Sequence, residues 1–387
     1  QTEAPLGAYA PLVGVYGVGW LAALVAGSLA LLMAYALSGK KSAPPAGEFS
    51  GGNMQRQDRW GLLAAAVAVM AIYAGSLALD GKRWTTPSGE PLSAALVQGN
   101  IPIMEKWRPE SRRKILDTHL RLSAGGSDLV IWPEGAAPDF LHRLGEPLWS
   151  ALRNINAAGS GVIFGGVESA PGQRYFNSAV FLPAGRYADT RQQLSAAALY
   201  RKSHLVPFGD YFPLPAFLRG ILDYLHIPMS DFSAWNKPQA LFDVAGHPAA
   251  VTICYEDAFG QELLDQLPQA QLLINISEDG WFGHSIGPLQ RVQMAQMRAL
   301  ETGRPVLRVA NTGVTALIDP HGRIVSSLPQ YQEGVLTVSV QPMSGATPYV
   351  RWGNRPVLVV VLALLVVLLL FRRSARKIER GARQNPE

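Results

Sequence analysis

Cys254 is the single cysteine of the 387-residue chain, and it closes the apolar run Ala250-Val-Thr-Ile. A cysteine between a strand end and a helix start has backbone N–H groups directed at its sulfur. That placement lowers a thiol pKa from its free value near ~8.5 and favours the nucleophilic thiolate. A lone cysteine is also, in many proteins, a small buried hydrophobe. Glu134 ends the run Asp128-Leu-Val-Ile-Trp-Pro-Glu. Behind Trp132 and Pro133 its carboxylate would be partly desolvated, which raises a carboxyl pKa toward the range of a general base. An exposed turn glutamate is the plainer reading. Lys202 lies in Tyr200-Arg-Lys-Ser-His-Leu-Val-Pro-Phe-Gly. An ammonium group held in a site stabilises a developing oxyanion; a surface lysine is the alternative. Together the three supply a nucleophile, a base and a cation.

Positioning them requires strands that end on one edge of a sheet. Short apolar runs at Ala94–Gln98, Asp128–Trp132, Gly161–Gly165, Ala179–Leu182, Ala249–Cys254, Leu272–Ile276, Val306–Val309, Thr315–Ile318 and Val335–Val340 read as strands. Glu110–Ser123, Pro147–Ala158, Phe259–Leu267 and Gly287–Glu301 read as helices. The alternation predicts one α/β domain over 82–350, with Glu134, Lys202 and Cys254 each following a strand-like run. Pro213–Trp235 differs from the rest. Its large apolar side chains and few charges fit either core or a lipid-contacting arm, with Phe217, Leu218, Ile221, Leu222 and Leu225 as the contact residues.

Charged residues make up 16% of the chain, against about 25% in ordinary soluble domains. The deficit comes from three uncharged stretches, Leu6–Ser38, Trp60–Leu79 and Pro356–Phe371. The first two exceed the roughly 20 residues that cross a bilayer. The third crosses only if its helix extends back past Trp352 or if Arg355 and Arg372 snorkel. The organisation expected is therefore a transmembrane region, 1–81, with helices at about 9–37 and 60–79 and a loop between them. The domain 82–350 follows, then a C-terminal membrane helix, 351–372, and a basic tail, 373–387. Lys40, Lys41, Arg56 and Arg59 in the loop, and the basic residues from Arg372 to Arg383, place loop and tail in the cytoplasm and the domain outside. The chain opens on Gln1 and enters the membrane almost at once, so further upstream crossings are expected. Net charge is +5, but the basic residues crowd the tail, and a nucleic-acid partner has little support. The seven histidines are scattered without paired ligand spacing, no phosphate-binding glycine motif occurs, and no metal or cofactor is expected.

The contexts of the three residues resemble the nitrilase superfamily and, within it, the apolipoprotein N-acyltransferases. The matching stretches are Leu96-Val-Gln-Gly-Asn-Ile with Lys106-Trp107, Ile131-Trp-Pro-Glu-Gly-Ala, Lys202-Ser-His-Leu-Val-Pro-Phe-Gly and Ile253-Cys-Tyr-Glu. Further along come Asn275-Ile-Ser-Glu-Asp-Gly-Trp-Phe-Gly, Met297-Arg-Ala-Leu-Glu-Thr-Gly-Arg-Pro, Asn311-Thr-Gly-Val-Thr-Ala and Gly345-Ala-Thr-Pro-Tyr. The resemblance implies an α-β-β-α sandwich on the periplasmic side of a bacterial inner membrane. It implies Cys254 as nucleophile, Glu134 as general base and Lys202 as oxyanion stabiliser, with Trp107, Tyr255 and Glu256 in support. Asp210 stands where the family usually has Glu, and Glu278-Asp279-Gly280 where it tends to have Asn-Asp-Ala. The implied reaction moves a fatty acyl chain from a phospholipid, with phosphatidylethanolamine the expected donor, to the N-terminal amine of a diacylated apolipoprotein. A membrane-tethered amidase or nitrilase-type hydrolase is the alternative enzyme, and a non-catalytic membrane scaffold the alternative from another class. The apolar Pro213–Trp235 stretch speaks against the first and the complete triad against the second.

Overall fold

The structure is a computed structural model and describes residues 2, 4–38, 52–172, 174–211, 213 and 231–384. It divides into two compact units, one of Arg83–Thr347 with the first two residues, the other of Glu3–Lys82 with Pro348–Glu387.

The larger unit is built on two six-stranded mixed sheets. Its strands are β1 (Thr85–Pro87), β2 (Leu92–Gln98), β3 (Leu129–Ile131), β4 (Gly161–Ala170), β5 (Arg174–Leu182) and β6 (Ala198–Arg201). The chain continues through β7 (Phe242–Val244), β8 (His247–Ile253), β9 (Leu272–Ser277), β10 (Val306–Ala310), β11 (Thr315–Ile318), β12 (Ile324–Leu328), β13 (Gly334–Val340) and β14 (Met343–Gly345). One sheet has the order β13-β2-β3-β4-β5-β6, the other β12-β11-β10-β9-β8-β7, and β1 pairs with β14 apart from both. The central pairs β2–β3–β4 and β8–β9–β10 are parallel, and their flanks are antiparallel.

Both faces of the first sheet are covered, so its strands read as continuous apolar runs instead of alternating ones. Along β2, Ala94 and Leu96 face the second sheet and join Val251, Ile253, Ile274 and Leu307 in the core between the sheets. Ala95 and Val97 point the other way and pack with Trp132, Leu148, Trp149 and Leu152. The period of two thus feeds two cores from one strand. The helix Glu146–Ala157 covers the outer face of the first sheet, with Arg112–Leu122 beside it. The helix Gly287–Thr302 lies against β10 and β11 of the second sheet and stops at Gly303, whose φ of +64° provides its left-handed cap.

Each strand-like run of the sequence became a strand. Five were not foreseen: β1, β6, β7, β12 and β14. They are short, or in the case of β12 largely exposed, and carry too little apolar signal to stand out. The expected helix Phe259–Leu267 is instead broken into Gly260–Leu263 and a 3-10 turn, Leu264–Gln266.

In the smaller unit, Ala10–Ser38 and Gly52–Leu79 are helices that pack on one another. Two stretches, Pro5–Leu37 and Trp60–Leu79, are long and apolar enough to cross a membrane. The first helix bends at Gly14, where φ is +64°; a Cβ there would fall 2.3 Å from the Tyr349 ring. The second begins eight residues before the expected 60, so 52–59 of the anticipated loop are helical; 39–51 lie outside the described residues. The third apolar run does not extend back past Trp352. A short helix, Pro348–Trp352, ends at Gly353 with φ +58°, and a new helix, Arg355–Gln384, runs through most of the basic tail. Its apolar part, Arg355–Leu370, is shorter than the two stretches long enough to cross a membrane.

The turn after β3 is fixed by close backbone approach. A Cβ on Gly165 in β4 would lie 2.5 Å from the Gly135 nitrogen and 2.7 Å from the Glu134 Cα. Gly165→Ala is expected to push that turn off β4 and to cost about 1–3 kcal/mol of overpacking strain. Thermal unfolding followed by near-ultraviolet circular dichroism should show the midpoint lowered by several degrees. An unchanged midpoint would mean that β4 does not hold the Glu134 turn.

Candidate active site

Glu134, Lys202 and Cys254 follow β3, β6 and β8, and the two sheets bring them to one cavity of about 370 Å³. Lys202 is 1% exposed, which removes the surface-lysine reading. Its Nζ lies 3.2 Å from Glu134 Oε1 and 2.8 Å from Asp210 Oδ2. The shorter side chain of Asp210 therefore reaches the lysine. Asp210 is in turn held by the Val206 N–H, which donates to the same Oδ2 at 2.8 Å.

Glu134 is buried and receives further donors. Asn177 Nδ2 donates to Oε1 at 2.7 Å, and the Glu278 backbone N–H donates to Oε2 at 2.9 Å. A carboxylate offers about four lone-pair sites. Oε1 has two taken, by Asn177 and Lys202, and Oε2 has one. Among the described residues, the open acceptor position is thus on Oε2. Burial works to raise the Glu134 pKa, but Lys202, Asn177 and Lys106 together bring it below the ordinary value. The desolvated, raised carboxyl expected from the sequence is corrected: the neighbouring cations outweigh burial, and Glu134 is ionised at neutral pH.

Cys254 opens a single 3-10 turn, Cys254–Ala258, directly after β8. Its φ is +51°, a left-handed conformation that side chains with a Cβ rarely adopt. Strain of this kind costs of order 1–3 kcal/mol and persists only where the surroundings impose it. Here Glu256 imposes it. Glu256 Oε2 accepts from the Ile253 N–H at 2.7 Å and from the Tyr200 hydroxyl at 2.9 Å, while Oε1 accepts from the Ser203 and His204 N–H groups at 2.6 and 3.1 Å. One carboxylate therefore ties the Cys254 turn to the segment that carries Lys202. Burial pushes the Glu256 pKa up to about 7, against the three backbone donors. The Cys254 thiol is pushed up to about 12, by burial first and by the Glu134 charge second, with Lys202 and Arg291 opposing. The expectation of a thiol acidified by a helix start is corrected: the single 3-10 turn offers little dipole to offset burial. Cys254 rests as a thiol.

The remaining expected residues, Trp107 and Tyr255, line the cavity and are half-buried. The proposed lipid arm, Phe217, Leu218, Ile221, Leu222 and Leu225, lies outside the described residues. Asn177 and Arg291 were not singled out from the sequence; nothing in Tyr175-Phe-Asn-Ser or on the polar face of the Gly287–Thr302 helix distinguishes them. Arg291 forms a buried network with Asp257 at 2.5 Å, joined by Arg308, Asp279 and Asn275. Val167, Val206, Phe208, Phe232, Trp281 and Phe282 give the cavity a largely apolar wall.

The Glu134 charge raises the thiol pKa, so removing it should ease ionisation of Cys254. Glu134→Gln is expected to move the midpoint of iodoacetamide alkylation of Cys254 to lower pH, read by intact mass across a pH series. An unmoved midpoint would mean that Glu134 does not face the thiol.

The carbon-nitrogen hydrolase family model matches residues 93–349. The apolipoprotein N-acyltransferase of Methylococcus capsulatus is 39% identical over 393 aligned residues, which cover 100% of this chain and 71% of that protein. Its counterpart from Azotobacter vinelandii is 41% identical, with 97% of this chain and 68% of the relative covered. That of Nitrosomonas europaea is 38% identical, with 95% and 67% covered. The chain belongs to the apolipoprotein N-acyltransferase family, within the carbon-nitrogen hydrolases.

Proposed function

We propose that the chain transfers a fatty acyl group from a phospholipid to the N-terminal amine of a diacylated lipoprotein, through a thioester on Cys254. The observation that carries this reading is a thiol, a carboxylate and an ammonium group gathered on one largely apolar cavity. An apolar wall suits an acyl chain and excludes water, whereas a small polar amide gains little from it.

In the first half-reaction, Cys254 Sγ attacks the ester carbonyl carbon as its proton passes to the open position on Glu134 Oε2. With the thiol pKa near 12 and Glu134 below the usual carboxylate range, a free thiolate is scarce. Proton transfer therefore accompanies attack. Lys202, held charged by Glu134 and Asp210 despite burial, meets the oxyanion. The carbon–oxygen bond breaks, and Glu134 returns the proton to the leaving lysophospholipid oxygen. In the second half-reaction the amine nitrogen attacks the thioester, Glu134 takes a proton from it, and the carbon–sulfur bond breaks. The proton on Glu134 then restores the thiol. Splitting the transfer in two lets the cavity hold one lipid substrate at a time.

The phospholipid is phosphatidylethanolamine in this reading, and Phe217, Leu218, Ile221, Leu222 and Leu225 guide it from the bilayer surface. Residues 40–59 and the tail 373–387 are cytoplasmic, and the catalytic domain periplasmic at the inner membrane. The support is the basic charge flanking the apolar helices and the composition of the arm.

Incubation of the full chain with phosphatidylethanolamine vesicles should add the mass of one acyl chain, lost on adding a diacylated lipopeptide. Glu134→Gln should slow acylation by ~10²–10⁴. Steady release of free fatty acid without transfer to the lipopeptide would instead favour the hydrolase.

A further inference from the structure

Glu278 follows β9 and touches both partners of the proton transfer through its own backbone. Its N–H donates to Glu134 Oε2, and its carbonyl lies 3.9 Å from Cys254 Sγ. Its side chain does something separate. Oε2 pairs with Lys106 Nζ and accepts from Asn311 Nδ2 at 2.8 Å, while Oε1 accepts from the Gly280 N–H at 2.9 Å. Lys106, from the short helix Ile103–Lys106, also donates to the Glu134 carbonyl oxygen at 2.7 Å. Lys106 and Glu278 are 2% and 4% exposed. A buried ammonium beside a carboxylate base is a strong perturbation unless a counter-ion cancels it.

We propose that the Lys106–Glu278 pair is a positioning device for the base: Lys106 grips the main chain of Glu134, and Glu278 offsets the charge of Lys106, so that of the two cations beside Glu134 it is Lys202 that chiefly governs it. This rests on the reading of Glu134 as the general base. The other charged or titratable groups that face this pair and the base come from every surrounding element. They are Lys202 and Asp210 beyond β6, the Cys254 thiol and Glu256 after β8, Asp279 after β9, Arg291 on the Gly287–Thr302 helix and His119 on Arg112–Leu122, whose pKa burial first and Lys106 second lower to about 4. Each of Lys202, Asp210, Asp279 and Arg291 has an opposite partner of its own. Glu278 is the charge partner of Lys106.

The sign of the effect follows from the charges. Glu278→Gln leaves Lys106 charged and uncompensated, which stabilises the Glu134 carboxylate, makes it a weaker base, and lowers the Cys254 thiol pKa. Lys106→Met in the same chain removes the surplus charge again. The experiment measures kcat/KM against pH for the full chain, its Glu278→Gln variant and the Lys106→Met/Glu278→Gln double variant. In parallel, the pH dependence of iodoacetamide alkylation of Cys254 is followed, which needs no acyl donor. Glu278→Gln should move the acid limb down by about one pH unit and lower the plateau about tenfold. It should also bring the alkylation midpoint down, and the double variant should return both midpoints toward the parent. Glu278→Asn makes the same charge change and carries the test if Glu278→Gln does not accumulate. Lowered rates with unmoved limbs and midpoints would overturn the proposal and leave the pair a packing feature. Shifted alkylation midpoints in a protein that accepts no phospholipid would uphold the pair while sinking the proposed donor.

Discussion

The Glu134 carboxylate is the point through which both sheets are joined at the site. Its donors come from three separate places: Asn177 on β5, Lys202 after β6, and the Glu278 N–H after β9 of the opposite sheet. A buried charge demands such partners, because leaving one uncompensated costs about 3–5 kcal/mol. That demand draws the strand ends of two sheets to one spot. Gly165 stands where the backbone of this turn passes too close for a side chain, and Gly135 where a φ of +62° folds the chain back over the Lys106 side chain.

A second carboxylate does the corresponding work for the nucleophile. The left-handed Cys254 turn is unfavourable by itself, and four donors converging on Glu256 hold it in place. Because two of those donors are the Ser203 and His204 N–H groups, the strain at Cys254 and the position of Lys202 are parts of one constraint. Behind it, Asp257 and Asp279 neutralise Arg291 and Arg308. That network fastens the 3-10 turn to the Gly287–Thr302 helix and to β10 without adding net charge beside the thiol.

The sequence showed these things unevenly, for physical reasons. Strands buried on both faces, such as β2 and β9, announce themselves as unbroken apolar runs. Exposed or three-residue strands, such as β12 and β7, do not. Glu134 and Cys254 stood out because each follows a strand-like run, and all three, Lys202 included, because each lies inside a recognisable stretch. Asn177 was invisible, since its role depends on the pairing of β5 beside β4, which no local pattern encodes. Electrostatics were least legible. From neighbouring residues, Cys254 reads as acidified and Glu134 as raised, whereas the folded site reverses both, because the burial of the thiol and the charges that act on the pair, Lys202, Lys106 and Glu134 itself, come from parts of the chain distant in sequence. Glu278 was noticed only as an unusual residue, and its pairing with Lys106 spans 172 positions.

The reversed electrostatics bear on why such a site would pass an acyl group to an amine in preference to water. A permanently ionised thiol would be a good leaving group at all times and would leave an acyl-enzyme prone to hydrolysis. Here the sulfur is a poor anion, so the proposed thioester breaks only when the incoming nucleophile delivers a proton that can return to it. Glu134 has one open acceptor position, on Oε2, and whichever nucleophile arrives must place its N–H or O–H there. Water at that position loses hydrogen bonds beside the apolar side chains of the wall, Val206, Phe208, Phe232, Trp281 and Phe282. An N-terminal amine, with a pKa near ~7.7–8.0, is partly neutral at physiological pH. On a lipidated chain it brings apolar surface that the same wall favours. The barrier that excludes water and the attraction that admits the lipoprotein are then one property of the cavity, its apolar lining, acting with opposite sign on the two nucleophiles.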